Sequence, residues 1–150
     1  MTLSVSYDDL PSKVGESLGT SDYIEITQQR INDFAECTGD HQWIHVDVER
    51  AKAGPFGGPI AHGFLTLSLA PTLVGGLLQV NGISMGVNYG LNKVRFVSPV
   101  PAGSKLRASG VLKEVSEVSG GYQCVLEATF EVEGASKPAC VAELVFRYYK

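Results

Sequence analysis

Hydrophobic and polar positions divide this chain into two halves with different periods. Tyr122, Cys124, Leu126, Ala128, Phe130 and Val132 occupy every second position, with Gln123, Val125, Glu127, Thr129, Glu131 and Glu133 as the intervening set. Alternation over that length predicts a half-exposed antiparallel strand. Cys140, Ala142, Leu144, Phe146 and Tyr148 repeat the pattern. Two further long strands are predicted over Met85 to Val97 and Lys105 to Val118, separated by the turn Pro99-Val100-Pro101-Ala102-Gly103. Gly120-Gly121 and Gly134-Ala135-Ser136 supply the remaining turns.

The front half has a helical period. Tyr7 to Lys13 predicts a short helix or turn closed by Gly15, and Ser21 to Ile26 a first strand. Thr27 can cap a helix from Gln28 to about Cys37, with Ile31, Phe34 and Ala35 at helical spacing and Gly39 as its stop. Val48 to Ala53 predicts a second short helical piece. The loop Gly54-Pro55-Phe56-Gly57-Gly58-Pro59 breaks the pattern. From Gly63 to Val80 the apolar residues Phe64, Leu65, Leu67, Leu69, Leu73, Val74, Leu77 and Leu78 cover most of a helix circumference. A helix buried on nearly all sides is expected. Pro71 inside a continuous helix costs roughly 3 kcal/mol, so a kink or break is expected there.

A helical front, one buried helix and then long antiparallel strands define an α+β class. A sheet wrapped around a single long central helix is the hot-dog architecture. The 150 residues suit one domain, with residues 1–20 as an N-terminal extension. A single curved sheet leaves edge strands, and pairing with a second copy covers one of them, so a homodimer is expected.

Composition narrows the function classes. Hydrophobic residues make up 44%, enough for a core, and 12 basic against 16 acidic residues give a net charge of −4. That balance carries no footprint for nucleic acid. The three cysteines, Cys37, Cys124 and Cys140, form no CxxC pair, and no metal site is expected. Their odd number in a chain with a good core points to a reduced, cytoplasmic protein. The N-terminus lacks a signal-peptide pattern, and the longest apolar stretch is too interrupted to span a membrane. Cys37 is expected as a buried structural thiol. Lys93, Arg95 and Arg107 are read as solvated positions with phosphate contact as the alternative. Neither GxGxxG nor a phosphate-loop lysine nor GxSxG is present.

The candidate chemistry lies in Thr38-Gly39-Asp40-His41-Gln42-Trp43-Ile44-His45. A carboxylate and an imidazole held near each other can position and activate a water. On spacing alone, a turn-capping Asp40 and a satisfied surface or core His45 are the stronger reading. The second feature is His62-Gly63, where the breaker-rich loop enters the apolar helix. A glycine there lets a ligand approach free N–H groups, which suits a developing thioester enolate oxygen. Tight helix-on-strand packing is the alternative reading of Gly63.

Taken as a block, Thr38 to Asp47, Ala51, Phe56-Gly57 and Pro59-Ile60-Ala61-His62-Gly63 resemble the hydratase-2 motif of MaoC-like dehydratases, the (R)-specific enoyl-CoA hydratases. The run Asn88 to Phe96 is similar to the branch related to nodulation protein N. The resemblance implies that Asp40 and His45 activate water for addition to a trans-2-enoyl-CoA, with the Gly63 N–H holding the thioester oxygen. It places Gln42, Trp43, Ile60 and His62 at the substrate and makes the CoA thioester the substrate, with no cofactor. Where many members carry Asn-Pro, this chain has Gln42-Trp43, which bears on the acyl pocket; Leu67 and Pro71 are further candidates for its wall. Two other readings compete: a hot-dog acyl-CoA thioesterase, and a non-catalytic acyl-thioester binding protein.

Overall fold

A computed structural model describes residues 2–150. Its strands in chain order are β1 (Leu3–Ser6), β2 (Ser17–Thr20), β3 (Ile24–Glu25), β4 (Leu78–Asn81), β5 (Met85–Phe96), β6 (Lys105–Val118), β7 (Gly121–Val132) and β8 (Cys140–Tyr149). Six of them form one antiparallel sheet in the order β2-β6-β7-β8-β5, with β3 also on β6. The alternation in the second half sets this register. Leu112 faces Leu126, and Phe130 faces Cys140. Leu106, Leu112, Cys124, Leu126, Ala128 and Phe130 are fully buried on the inner face.

Against that face runs the apolar segment, and the whole is a hot-dog fold. The central helix is not one continuous element, and the break expected near Pro71 is present. It consists of α4 (Gly63–Ser68), α5 (Ala70–Leu73) and a 3-10 turn (Gly75–Leu77). The break falls at Leu69, and Pro71 sits in the first turn of α5. There its missing N–H is one that a helix start leaves unpaired in any case, so the proline starts a helix instead of breaking one. The segment's end is not helical: Leu78 and Val80 are buried while Gln79 and Asn81 are exposed, and this period-two stretch is β4. Nor is the helix covered all round, since Phe64 is 68% exposed.

β4 pairs in parallel with β1, which the sequence reading had not assigned to any element. The first strand expected over Ser21 to Ile26 is reduced to the two residues of β3 and preceded by β2. Val5, Leu10 and Leu18 lie in the core, so residues 3–20 pack as part of the same body. A 3-10 helix (Tyr7–Lys13), where a short helix or turn was expected, and three α-helices precede the central segment: α1 (Gln28–Thr38), α2 (Trp43–Val46) and α3 (Val48–Lys52). The loop after them is tied to the sheet end by the Ala61 N–H to Val100 carbonyl bond, 2.8 Å, and by a bridge between Ile60 and Pro101. Among the described residues no helix is long and apolar enough to cross a membrane.

Candidate active site

The site begins where α1 ends. The Thr27 hydroxyl caps the first turn by accepting the Arg30 N–H at 3.0 Å. Gly39 closes the last turn at φ 83°, donating its N–H to the Ala35 carbonyl. Only glycine adopts that left-handed conformation without strain. The chain turns there and delivers Asp40, whose Oδ1 accepts the Gln42 N–H at 3.3 Å. The single-turn α2 then carries His45 inward, and the Gln42 carbonyl accepts the His45 N–H at 3.0 Å. The Gln28 side chain donates to the His45 carbonyl at 2.8 Å.

His45 is 6% exposed. Its Nδ1 lies 2.7 Å from the Ile60 carbonyl, an oxygen that can only accept. Nδ1 therefore carries the proton, and Nε2 keeps a free lone pair. Burial lowers the His45 pKa below its ordinary value, and His62 lowers it further; the Ile60 carbonyl and Asp40 act in the opposite sense. At neutral pH the ring is an uncharged base.

His62 lies under this ring. The two imidazoles stack with centroids 3.9 Å apart at 22°. Its Nε2–H donates to the Asp40 carbonyl at 3.0 Å, and the Phe34 ring packs on it at 4.9 Å. One ligand-type atom from each of Asp40, His45 and His62 falls within 4.8 Å of the others. Near-parallel rings direct their in-plane lone pairs alongside one another, whereas two histidines on one ion need lone pairs that converge. The arrangement suits an acid–base pair on a histidine floor better than a metal centre.

Gly63, the first residue of α4, follows His62 directly. A Cβ there would meet the Phe96 ring at 3.2 Å. Its N–H is a first-turn donor with no backbone acceptor among the described residues. Ile60, Gly63, Thr66 and Phe96 line a cavity of about 220 Å³. A larger one, about 510 Å³, opens between the central helices and β5, lined in part by Phe64, Leu67, Pro71, Tyr89 and Leu91. Phe64 on the larger cavity and Phe96 on the smaller meet edge to face at 6.0 Å.

Asp40, His45, Ile60 and His62 thus come together, with Gly63 adjoining. Leu67 and Pro71 do line a cavity, whereas Trp43 packs against Gly54 and under the Arg50 guanidinium, 4.3 Å away. The exposed Gln42 reaches Asp40 and His45 through its backbone. Cys37 is exposed, contrary to the expectation of a buried thiol, because it falls on the solvent side of α1. The buried thiols are Cys124 and Cys140, whose pKa values burial pushes up to about 12 and about 11. Arg107 is taken up by an ion pair with Glu131, while Lys93 and Arg95 line a trough on the sheet with Glu127 and Glu143. Sequence reasoning missed Gln28 and Phe34, which hold the site from α1. Ordinary helix residues of these types carry no signal until their partners are known.

Residues 9–133 match the model of the MaoC-like domain. The chain belongs to the MaoC-like dehydratase family, and it is a hydratase/dehydratase of that family. It is 54% identical over 144 residues to 3-hydroxyacyl-thioester dehydratase Z of Mycobacterium tuberculosis, covering 95% of each chain. It is 45% identical over 145 residues to nodulation protein N of Rhizobium leguminosarum, covering 94% of this chain and 89% of that one. Among solved structures, an (R)-hydratase from A. caviae superposes with a TM-score of 0.73 at 24% identity over 89% of this chain and 94% of that one, a likeness of fold.

Proposed function

We propose that this protein adds water to trans-2-enoyl-CoA to give (R)-3-hydroxyacyl-CoA and catalyses the reverse dehydration. The observation that carries the reading is the fixed tautomer of His45 in a cluster where a His45 ring nitrogen and an Asp40 carboxylate oxygen lie within 4.8 Å. A carboxylate and an uncharged imidazole there can hold one water by both of its hydrogens. The water oxygen bonds to C3 as the C2–C3 π pair moves to C2 and the thioester. The proton lost by the water passes to the pair and returns from Asp40 to C2. The Gly63 N–H holds the thioester oxygen while negative charge builds on it. Nothing is oxidised or reduced, so the scheme calls for no redox cofactor, and in it the Gly63 N–H takes the part a Lewis acid would play at the thioester oxygen. Ile60 serves twice, its carbonyl orienting His45 and its side chain walling the smaller cavity. Gln42 and Trp43, next along the chain from the Asp40 turn, are assigned to the substrate side of the site, and the acyl tail is assigned to the larger cavity. The active unit in this reading is a homodimer.

The test is hydration of crotonyl-CoA, followed as loss of enoyl absorbance. Asp40→Asn and His45→Gln each lower kcat about 10²-fold or more while the protein stays folded. Release of free CoA thiol with the enoyl group intact would identify a thioesterase instead, and full activity in both variants would sink the acid–base assignment.

A further inference from the structure

The scheme above gives His62 no step, yet no polar group at the site is more deeply buried, at 3% exposure. Its surroundings point to one role. The ring forms the surface on which His45 lies, 3.9 Å away and 22° from parallel. The Nε2–H holds the Asp40 carbonyl at 3.0 Å. The Nδ1 is wholly buried and has no partner among the described residues. An orphaned buried acceptor is destabilising, and a phenyl ring would fill the same space without it. Its place in the fold therefore rests on what imidazole does and phenyl does not, which is to hold Asp40.

We propose that His62 is a positioning residue, tying the Asp40 backbone and the plane of the His45 ring into one unit so that the carboxylate and His45 Nε2 keep their mutual placement. In this role it orients the two groups that touch the water and does not itself bind the substrate. The inference rests on the hydration reading for its kinetic test but not for its spectroscopic one.

Two variants separate the contacts. His62→Phe keeps a ring under His45 and removes the hold on Asp40; His62→Gln places an amide N–H near the old Nε2 and removes the ring. For His62→Phe, kcat with crotonyl-CoA falls roughly tenfold or more while KM stays within about threefold, and His62→Gln recovers part of the loss. The groups facing His45 are His62, the Asp40 carboxylate and the Ile60 carbonyl. Displacing the first two moves the His45 titration, read by nitrogen NMR of the imidazole. Should His62→Phe fail to fold, His62→Asn replaces it, because its amide cannot reach the Asp40 carbonyl. A folded His62→Phe with wild-type kcat and an unchanged His45 spectrum overturns the proposal. So does a loss confined to KM, which would make His62 a substrate-binding group. If wild-type protein does not hydrate crotonyl-CoA but the His45 spectrum still changes in His62→Phe, the hydration reading fails and the positioning role stands.

Discussion

At the scale of single residues the decisive feature is that His45 is uncharged. Desolvation opposes its protonation first, and the neighbouring His62 adds to that. In the proposed reaction the neutral ring is the form that accepts a proton, so activity is expected to be lost as pH falls through the lowered pKa. The acid limb of kcat/KM is expected with its midpoint below the ordinary histidine value of about 6.5. Stability follows the same sign. In the window between the folded value and 6.5, the unfolded chain binds a proton that the folded chain refuses. The contribution of buried, neutral His45 is thus complete above 6.5 and is lost as pH falls through the folded value. An NMR titration of His45 in the folded protein, set beside the pH–rate profile, checks both, and a His45 midpoint at or above 6.5 would contradict them.

At the scale of elements, what the sequence made legible is what depends on local pattern. α1 was expected from Gln28 to about Cys37 and runs to Thr38, because Thr27 and Gly39 are caps whose bonds involve only near neighbours. β6 lies where it was placed, and β5, β7 and β8 agree with expectation to about a residue at each end, because alternation reports one buried face directly. The failures needed distant partners. β1 and β4 are short and pair across more than seventy residues of sequence. Leu77, Leu78 and Val80 look as apolar as the helix before them, so composition could not say where the period changes from 3.6 to 2. At the site, Asp40, His45 and Gly63 were legible from the motif, but Gln28, Phe34 and the stack of His62 on His45 were not. Gly39 links element to site. An added Cβ there touches nothing within 4 Å, so the cost of Gly39→Ala is backbone strain at φ 83°. We expect a loss of about 1 kcal/mol in chemical denaturation. Because Asp40 is the next residue, kcat should fall as well, and an unchanged denaturation midpoint would show that the cap is not strained by a side chain.

At the scale of the whole molecule, the sheet ends on β5, and that end is unlike the other. The edge at β2 is four residues long, whereas β5 runs for twelve. Met85, Tyr89, Leu91 and Phe96 on β5 are 45–57% exposed, and Phe64 beside them is 68% exposed. Long edges carrying exposed apolar side chains invite pairing, and such a patch marks an interaction surface. A second copy would meet this edge at little cost in new chemistry, since two antiparallel β5 strands related by a twofold axis bring the same residues face to face. The larger cavity lies against the same strand, lined by Tyr89 and Leu91, so the partner would also form a wall for the acyl tail. In the proposed reading, a homodimer built this way would be coupled to substrate use. Leu91→Lys places two like charges across the axis and should convert a dimer into a monomer in light scattering on a sizing column. Asp40, His45 and His62 lie outside this strand, so the His45 titration should be unchanged in the variant while activity toward longer enoyl-CoA chains falls more than activity toward crotonyl-CoA. A wild-type protein that is monomeric at micromolar concentration, or a Leu91→Lys variant that still dimerises, would place the active unit elsewhere.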